Sequence, residues 1–217
     1  MRRLTLMTTL LGLAVLTLSA CASAPAGPTS SATSSASNSP SPSASPQAAA
    51  LVLSLTELEV VDADGNRLGS ADLDEGDDIG ALVRQVLGAP TSTSHDSTYG
   101  FDTTRWDGLA LGTGAGSSDV EVHFLAAHSG AIALRSSDGV SVGMTRAQVI
   151  AAGATMDTSF TDDKNRLNEL FVSQRKSVPG TTSLTHSGQT GSIFVEAVVT
   201  DGVVSTIVSP GNDFSDL

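Results

Sequence analysis

The only cysteine in this 217-residue chain is Cys21, which directly follows a short apolar segment near the amino terminus. A chain with a single cysteine cannot form an intramolecular disulfide, the bond that many small exported domains depend on. Any folded part of the protein must therefore be stabilised by the packing of its own core.

The first 20 residues have the pattern of a secretory signal, with a positive start, an apolar run and small residues at the end. Arg2 and Arg3 supply the charge. The run from Leu4 to Leu18 is interrupted by threonines and is shorter than the roughly 20 apolar residues of a spanning helix. The sequence therefore predicts a signal peptide at residues 1–20.

The end of this segment, Leu18-Ser19-Ala20-Cys21, resembles a bacterial lipobox, in which an aliphatic residue and two small residues precede an invariant cysteine. The resemblance implies that the Cys21 thiol receives a diacylglyceryl group and becomes the first residue of the mature chain. Two acyl chains give durable membrane attachment, whereas one gives only marginal binding. We expect a lipid anchor at the extracytoplasmic face of the cell membrane. An ordinary secretory signal that happens to contain a cysteine is the alternative, and a lipidated Cys21 could not act as a catalytic thiol.

The segment after the cysteine is rich in Ser, Ala, Pro and Thr and contains no charged or aromatic residue up to residue 50. Such a composition cannot bury enough apolar surface to offset the entropy of ordering, so we predict a disordered tether over residues 21–50. Random-coil scaling gives the tether an end-to-end distance on the order of 30 Å. The remaining residues, 51–217, have the length of one domain.

The predicted domain is strongly acidic. It contains all 23 acidic residues and nine of the 11 basic ones, because Arg2 and Arg3 belong to the signal, so its net charge is −14. This charge opposes binding to nucleic acid and to anionic lipid headgroups. Solubility alone is a sufficient reason for it, and we expect no nucleic-acid partner.

Turn residues and alternating apolar positions divide the first part of the domain into strands around one helix. The predicted strands are Leu51–Val61, Leu68–Leu73, Thr104–Leu111, Val120–Ala126 and Ala131–Arg135. Apolar residues at helical spacing predict a helix over residues 79–87. Asp77 or Asp78 is its expected cap, and Gly88 is its expected stop.

The second part of the domain repeats this order. Thr145 and Gln148 have the spacing of a capping box, which predicts a short helix over residues 146–152 that ends at Gly153. The predicted strands that follow are Leu167–Ser173, Ser192–Val199 and Val203–Val208. Asp201-Gly202 is a strong hairpin signal between the last two strands.

This recurrence matches Gly88 with Gly153, and Gly130 with Gly202. It predicts an α+β fold of two short helix-plus-antiparallel-sheet units. The two halves would span residues 51–137 and 138–217.

The two helical segments carry short motifs, Leu87-Gly88-Ala89-Pro90 and Val142-Gly143-Met144-Thr145. They resemble the "G-M-T…V…L-G-x-P" helices of small envelope lipoproteins, which include the outer-membrane assembly lipoproteins and the tandem β-lactamase-inhibitor-protein fold. The order of elements over residues 77–210 also resembles uncharacterised lipoproteins of high-GC Gram-positive bacteria. The resemblance implies a tandem fold and favours a plasma-membrane location, and it leaves the activity open.

Two loops resemble ligand-binding motifs but have simpler interpretations. Asp62 and Asp64 beside Gly65 suggest a calcium loop, yet the positions that should hold its first and last ligands are Val60 and Ala71. A hairpin turn fits better. The glycine-rich segment over residues 112–117 is followed by a predicted strand and not by the helix that a nucleotide loop requires. We therefore expect neither a metal nor a cofactor.

The remaining titratable residues give no catalytic pattern. His95, His123, His128 and His186 lack zinc-like spacing, so solvated positions are expected for all four. Gly139-Val140-Ser141-Val142-Gly143 matches the Gly-x-Ser-x-Gly string of α/β-hydrolases. The predicted strand before it ends at Arg135 and the predicted helix after it starts at Arg146, so the string lacks the strand–turn–helix context of a nucleophile elbow.

Arg105 and Trp106 are the candidate contacts to a partner, because arginine and tryptophan are enriched in binding hot spots. For Trp106, a structural position within a sheet is the favoured interpretation. A second group of charges precedes the first helix and consists of Asp72, Asp74, Glu75, Asp77 and Asp78. These carboxylates suit the positive end of the helix dipole, and a site for a cation or a basic partner is the alternative.

The anchor, the tether and the lack of catalytic motifs together favour a non-catalytic module that binds a protein partner or assists envelope assembly. A small-ligand-binding domain is the first alternative hypothesis. A cell-envelope hydrolase is the second, and it would require catalytic side chains that converge in a cleft.

The anchor is tested by replacing Cys21 with Ser. We expect the variant to lose metabolic labelling by a radioactive fatty acid and to leave the membrane fraction, because serine has no thiol to acylate. Mass spectrometry of the wild-type amino terminus should give an acylated Cys21. An unmodified thiol, or a mature terminus downstream of residue 21, would contradict the prediction.

Overall fold

Two β-sheets and two helices make up the part of the chain that the computed structural model describes, residues 46–114 and 117–214. The strands in chain order are β1 (Ala50–Leu53), β2 (Glu57–Val61), β3 (Arg67–Asp72), β4 (Ser92–Asp96), β5 (Phe101–Trp106), β6 (Leu109–Gly114), β7 (Val120–Phe124), β8 (His128–Ser129), β9 (Ile132–Ser136), β10 (Thr155–Thr161), β11 (Leu167–Ser177), β12 (Ser192–Thr200) and β13 (Val203–Asn212). The helices are α1 (Gly76–Leu87) and α2 (Arg146–Ala151). The predicted signal peptide, Cys21 and most of the predicted tether lie outside the described residues.

The strands form a small sheet and a large sheet. The small sheet has the order β3-β2-β1-β9-β8, in which only the β1–β9 pair is parallel. The large sheet has the order β10-β11-β12-β13-β7-β6-β5-β4 and is antiparallel throughout. The α+β class is therefore correct in its coarse form, with far more strand than helix.

Helix α1 follows the predicted apolar stripe but starts differently from the prediction. Ile79 and Val83 are completely buried, as the helical spacing requires. The helix begins at Gly76 with Glu75 as the N-cap residue, and the Glu75 side chain makes no capping hydrogen bond. Asp77 and Asp78 are thus in the first turn, where their charges meet the helix dipole, and the prediction that one of them is the cap was wrong.

Helix α2 confirms the predicted capping box. The Thr145 hydroxyl accepts a hydrogen bond from the backbone N–H of Gln148, and the Gln148 side chain accepts one from the backbone N–H of Thr145. Gly153 follows the helix with a φ of 97°, a left-handed conformation that glycine adopts without strain.

Two predicted strands are each two strands in the structure. The segment Leu51–Val61 is divided by a turn at Ser54, whose hydroxyl accepts hydrogen bonds from the backbone N–H groups of Thr56 and Glu57. The segment Thr104–Leu111 is the hairpin of β5 and β6. Apolar composition hid the first turn, whereas the second turn is Asp107-Gly108, a hairpin signal of the same kind as Asp201-Gly202 that the prediction overlooked.

One core joins all of these elements. It contains buried side chains from the small sheet, both helices and one face of the large sheet, among them Leu51, Leu58, Ile79, Val83, Val122, Phe124, Val149, Phe171 and Ile207. The helices and the small sheet therefore pack on the same face of the large sheet. In the described part of the chain, the other face of the large sheet has no helix or sheet packed on it, and we call it the open face.

The predicted halves share this core and the large sheet. Strands β4–β7 after α1 form one half of the large sheet, strands β10–β13 after α2 form the other, and the halves meet where β7 pairs with β13. Gly130 lies in the β8–β9 hairpin of the small sheet, whereas Gly202 lies in the β12–β13 hairpin of the large sheet. The prediction that these two glycines are equivalent was therefore wrong.

Trp106 belongs to the core and is only 5% exposed. Its indole Nε1–H donates a hydrogen bond to the carbonyl oxygen of Gly88 at 2.9 Å, immediately after α1. The side chain thus fixes the end of the helix to the large sheet. This confirms the favoured structural interpretation of Trp106, and the interpretation of Trp106 as a candidate contact to a partner was wrong because the side chain is buried in the core.

Replacing Trp106 with Phe is expected to lower the free energy of unfolding by about 1–3 kcal/mol, because the variant leaves the Gly88 carbonyl without its donor and opens a small cavity. Urea unfolding followed by far-ultraviolet circular dichroism measures the change. The control is Tyr99→Phe, since Tyr99 is 72% exposed, and it should stay within about 0.5 kcal/mol of wild type. An unchanged free energy for the Trp106 variant would contradict the structural role.

Candidate functional site

A single row of side chains crosses the open face from one edge of the large sheet to the other. Directly paired residues of neighbouring strands point to the same side of a sheet. The successive partners in this row are Thr155, Val172, Glu196, Val208, His123, Ala110, Arg105 and Ser92. Three of them, Glu196, His123 and Arg105, are ionisable, and we call these three the charged row.

The strands of the charged row alternate between the core and the open face. His123 lies between the buried residues Val122 and Phe124, and Arg105 precedes the buried Trp106. A small apolar residue separates each charged position from the next. Because neighbouring strands are about 4.8 Å apart, the backbones of adjacent members of the charged row are roughly 10 Å apart.

His123 has a carboxylate partner on its own strand. Its Nε2 atom is 3.2 Å from Oε2 of Glu121, two residues earlier and on the same face. The His123 side chain is 29% exposed and that of Glu121 is 18% exposed. The prediction that His123 is solvated was thus only partly right, because a neighbouring carboxylate covers part of the ring.

A second group of charges lies beside Glu196, and in it one arginine is shared by two carboxylates. Arg175 forms ion pairs with Asp157 and with Asp213, the latter at 3.3 Å, and its guanidinium lies 4.9 Å from the centre of the Phe194 ring. Asp213 also accepts hydrogen bonds from the Ser183 hydroxyl and the backbone N–H of Ser192. Each of these acids therefore has a cation or a donor.

Glu196 is different from the acids around it. Among the described residues, its carboxyl group forms no hydrogen bond and no ion pair. Burial raises the pKa of Glu196 to about 7, an effect that the His123 charge reduces and that the Asp157 and Glu121 carboxylates add to. Near neutral pH this group is therefore divided between its neutral and charged forms.

A cavity of about 330 Å³ opens next to the charged row. Apolar side chains form most of its walls, including Phe101, Ile193, Pro210 and Phe214, and Glu121 supplies a carboxylate. Gly112 forms the floor, because a Cβ atom at this position would lie 2.5 Å from the Phe101 ring. The cavity has the size and composition to receive an apolar side chain beside a charge.

The acidic residues around α1 form a separate groove of about 800 Å³, to which Asp102 and Arg84 also contribute. Repulsion from the Asp78 carboxylate raises the pKa of Glu75. No group of three His, Cys, Asp or Glu side chains within residues 46–114 and 117–214 has an arrangement suited to a metal ion. The helix dipole is sufficient to explain this cluster.

The loop that suggested calcium is a turn between β2 and β3. The Asp62 carboxylate accepts hydrogen bonds from the backbone N–H groups of Asp64 and Asn66 and from the Asn66 side chain. The side-chain bond from Asn66, with the backbone bonds, lowers the pKa of Asp62. The prediction of a hairpin turn is confirmed.

A histidine–carboxylate pair also occurs near the β4 edge, where His95 Nδ1 is 2.8 Å from Asp102 Oδ1. Both side chains are more than half exposed. In the part of the chain that the structure describes, no hydroxyl group is hydrogen-bonded to the other ring nitrogen of His95. The pair therefore lacks the nucleophile that a catalytic arrangement needs.

The sequence-based candidates have separate positions in the structure. Arg105 is exposed and belongs to the charged row, Trp106 faces the opposite side and is buried, and Cys21 is outside the described residues. Sequence reasoning missed Glu196 and Glu121. Their charge at alternating strand positions was a visible signal, but the strand pairing that brings them together was not.

Comparison with family models, with curated proteins and with solved structures finds no match for this chain. No helix within the described residues is long and apolar enough to cross a bilayer. The function is therefore argued from the geometry of the open face.

Glu196→Gln tests the electrostatics of the charged row. Because the pKa of Glu196 is about 7 in the folded chain and 4.5 ordinarily, the folded state holds this proton more tightly than the unfolded state does. Wild-type stability should therefore fall as the pH rises from about 4.5 to about 7, and the glutamine variant should lack this loss. We expect the variant to exceed wild type by roughly 2 kcal/mol at about pH 8 and to match it at about pH 4.

Urea unfolding at both pH values measures this difference. The matched control is Asp163→Asn, because Asp163 is exposed in the β10–β11 turn and should behave like wild type at each pH. If the free energies of unfolding of wild type and Glu196→Gln change in parallel with pH, ionisation of Glu196 does not destabilise the folded state.

Proposed function

We propose that this protein is a lipid-anchored, extracytoplasmic and non-catalytic module that binds another protein, in envelope assembly or a related role, through its open face. The observation that carries the proposal is the charged row, which crosses a sheet face with no helix or sheet packed on it in the described part of the chain, next to an apolar cavity. Charges in a defined order set the orientation of a partner, and a pocket accepts its anchoring side chain.

The size of the open face supports a protein partner. Eight strands spaced at about 4.8 Å give a width on the order of 34 Å, and five residues per strand give a length of about 17 Å. The resulting area, on the order of 600 Å², approaches the roughly 800 Å² per partner of a standard protein interface.

The proposed anchor and tether suit the same role. A diacylglyceryl group on Cys21 would hold the chain at the cell membrane, and the tether over residues 21–50 would hold the domain away from the headgroups. The net charge of −14 for residues 51–217 would keep the domain from lying on an anionic surface. The open face would then be accessible to other envelope proteins. The resemblance to lipoproteins of high-GC Gram-positive bacteria favours the plasma membrane.

We also propose that the two halves are related units, despite their common core. Each half contains one helix followed by four antiparallel strands in consecutive order, α1 with β4–β7 in residues 51–137 and α2 with β10–β13 in residues 138–217, and the first half also contains the strands of the small sheet. Glycines with positive φ, Gly88 and Gly153, follow the two helices. The pairing of β7 with β13 would then join two copies of one unit into a continuous binding face.

A small apolar ligand is the second candidate, and the cavity beside Phe101 is the observation that favours it. Such a ligand would occupy this cavity, whereas a protein partner would contact the whole open face. The two candidates therefore differ in how far from the cavity contacts extend.

Site-specific photocrosslinking in intact cells separates them. A benzoylphenylalanine residue at Thr103 or Thr206, both on the open face, should crosslink to one defined protein. The control position is Ile150, which is exposed on α2 away from the open face. Arg105→Glu should reduce the yield from Thr206 by about tenfold, the factor that corresponds to 1.4 kcal/mol.

Equal crosslinking from Ile150, or no protein adduct from either open-face position, would refute the proposed function. Crosslinks from Thr103 to a low-mass species, without any from Thr206, would support the small-ligand candidate instead.

A further inference from the structure

We infer that the partner bound to the open face inserts a basic side chain, an arginine or a lysine, against the Glu196 carboxylate. The inference rests on the proposed function and specifies the chemistry of its partner. It follows from how the other charges near Glu196 are paired.

The carboxylates around Glu196 already have hydrogen-bonding or ionic partners. Glu121 is paired with His123 on β7, and Asp157 of β10 is paired with Arg175 of β11. Glu196 is the carboxylate in this group that lacks a hydrogen bond or an ion pair among the described residues. A buried carboxylate is costly unless a cation or donors compensate it, so a cation supplied from outside would remove that cost.

A guanidinium is the basic group that suits Glu196 and its surroundings best. Its Oε2 atom would be 3.3 Å from a Cβ atom built on Gly211, and the Phe194 ring packs on the same glycine. Phe194 is 3% exposed and its ring is already covered by the Arg175 guanidinium at 4.9 Å, so a partner's cation would meet the Glu196 carboxylate and not this ring. Arginine is less strongly hydrated than lysine and matches a carboxylate with its planar fork, so we expect arginine to be preferred.

The order of charges along the row also favours this orientation. Glu196 and Arg105 are four strands apart, on the order of 19 Å between backbones. A partner with a basic group over Glu196 therefore needs a neutral or acidic group over Arg105. The opposite orientation would place the partner's basic group against Arg105, where like charges repel.

Binding of a cation should be coupled to the release of a proton. Burial raises the pKa of Glu196 to about 7, so below this pH the group is mostly neutral and attracts a cation weakly. Affinity should therefore rise as the pH increases through about 7. The other titratable and charged groups of this region are Glu121, His123, Asp157, Arg175, Asp213, His186 (3.9 Å from Asp157) and, further along the row, Arg105. Because the Glu196→Gln variant retains His123, it distinguishes the effect of the Glu196 carboxyl group on binding from that of His123.

The test uses the full-length protein in detergent and N-acetyl-arginine amide as the probe. Carbon-13 NMR of the Glu196 carboxyl group measures its pKa, which should fall by about one unit when the probe is added, a change equal to 1.36 kcal/mol of coupling. The matched control is the citrulline analogue, which has the same shape without the charge and should leave this pKa unchanged. Glu196→Gln should abolish the shift that the arginine probe causes in the His123 ring signals, whereas Asp163→Asn should preserve it.

Crosslinking from Thr206 then connects this site to the partner. In the wild type the yield should rise several-fold between about pH 6 and about pH 8, and in Glu196→Gln it should be low at both values. If open-face crosslinks persist unchanged in Glu196→Gln and at both pH values, the proposed function stands and this inference is overturned. If the probe shifts the Glu196 pKa but no crosslinks form, the cation site stands and the proposed function fails. Equal effects of the arginine probe and the citrulline analogue would also overturn the inference.

Discussion

The packing of both helices and the small sheet onto one face of the large sheet is the interaction on which the rest of this structure depends. Side chains from several elements, including Leu51, Ile79, Phe124 and Val149, are completely buried there. Each contributes about 1.5–3 kcal/mol relative to an exposed position. With its only cysteine at residue 21, the protein has no disulfide to replace this core. In the described part of the chain, the one-sided packing also leaves the other face of the large sheet without a helix or sheet packed on it, and this is the face proposed to bind a partner.

An uncovered sheet face needs polar side chains for solubility, but solubility does not require the environment of Glu196. A solvent-exposed glutamate would satisfy the strand alternation at no electrostatic cost. Glu196 is instead partly buried near two other carboxylates, and its pKa rises to about 7 as a result. Asp157 and Asp213, which share Arg175, show that other acids in the same region have an ionic partner. An acid kept without a counter-ion in such a place is better explained by binding than by folding.

The acidic residues before α1 illustrate the contrast. They are numerous and conspicuous in the sequence, yet Asp77 and Asp78 are exposed in the first turn of a helix, where the dipole favours negative charge. The charged row has fewer charges, and these are far apart in the sequence. Its members are more informative because strand pairing places opposite charges at regular intervals on one surface.

Patterns of neighbouring residues in the sequence determined the helices and turns that depend on contacts between those neighbours. The apolar stripe that buries Ile79 and Val83 predicted α1, the Thr145–Gln148 spacing predicted the capping box of α2, and Asp62 with Gly65 predicted a turn. Each of these depends on side chains within a few residues of one another, so the chain alone is sufficient to specify them.

Only the tertiary structure decided the division of Leu51–Val61 into two strands, the burial of Trp106 and the composition of the charged row. The row exists because β7 pairs with β13, which places His123 beside Val208 and hence near Glu196. A strand's alternation shows which residues share a face, but it does not show which distant strand lies beside it. That choice depends on the packing of the whole core, and for this reason the candidate site could not be found before the fold was known.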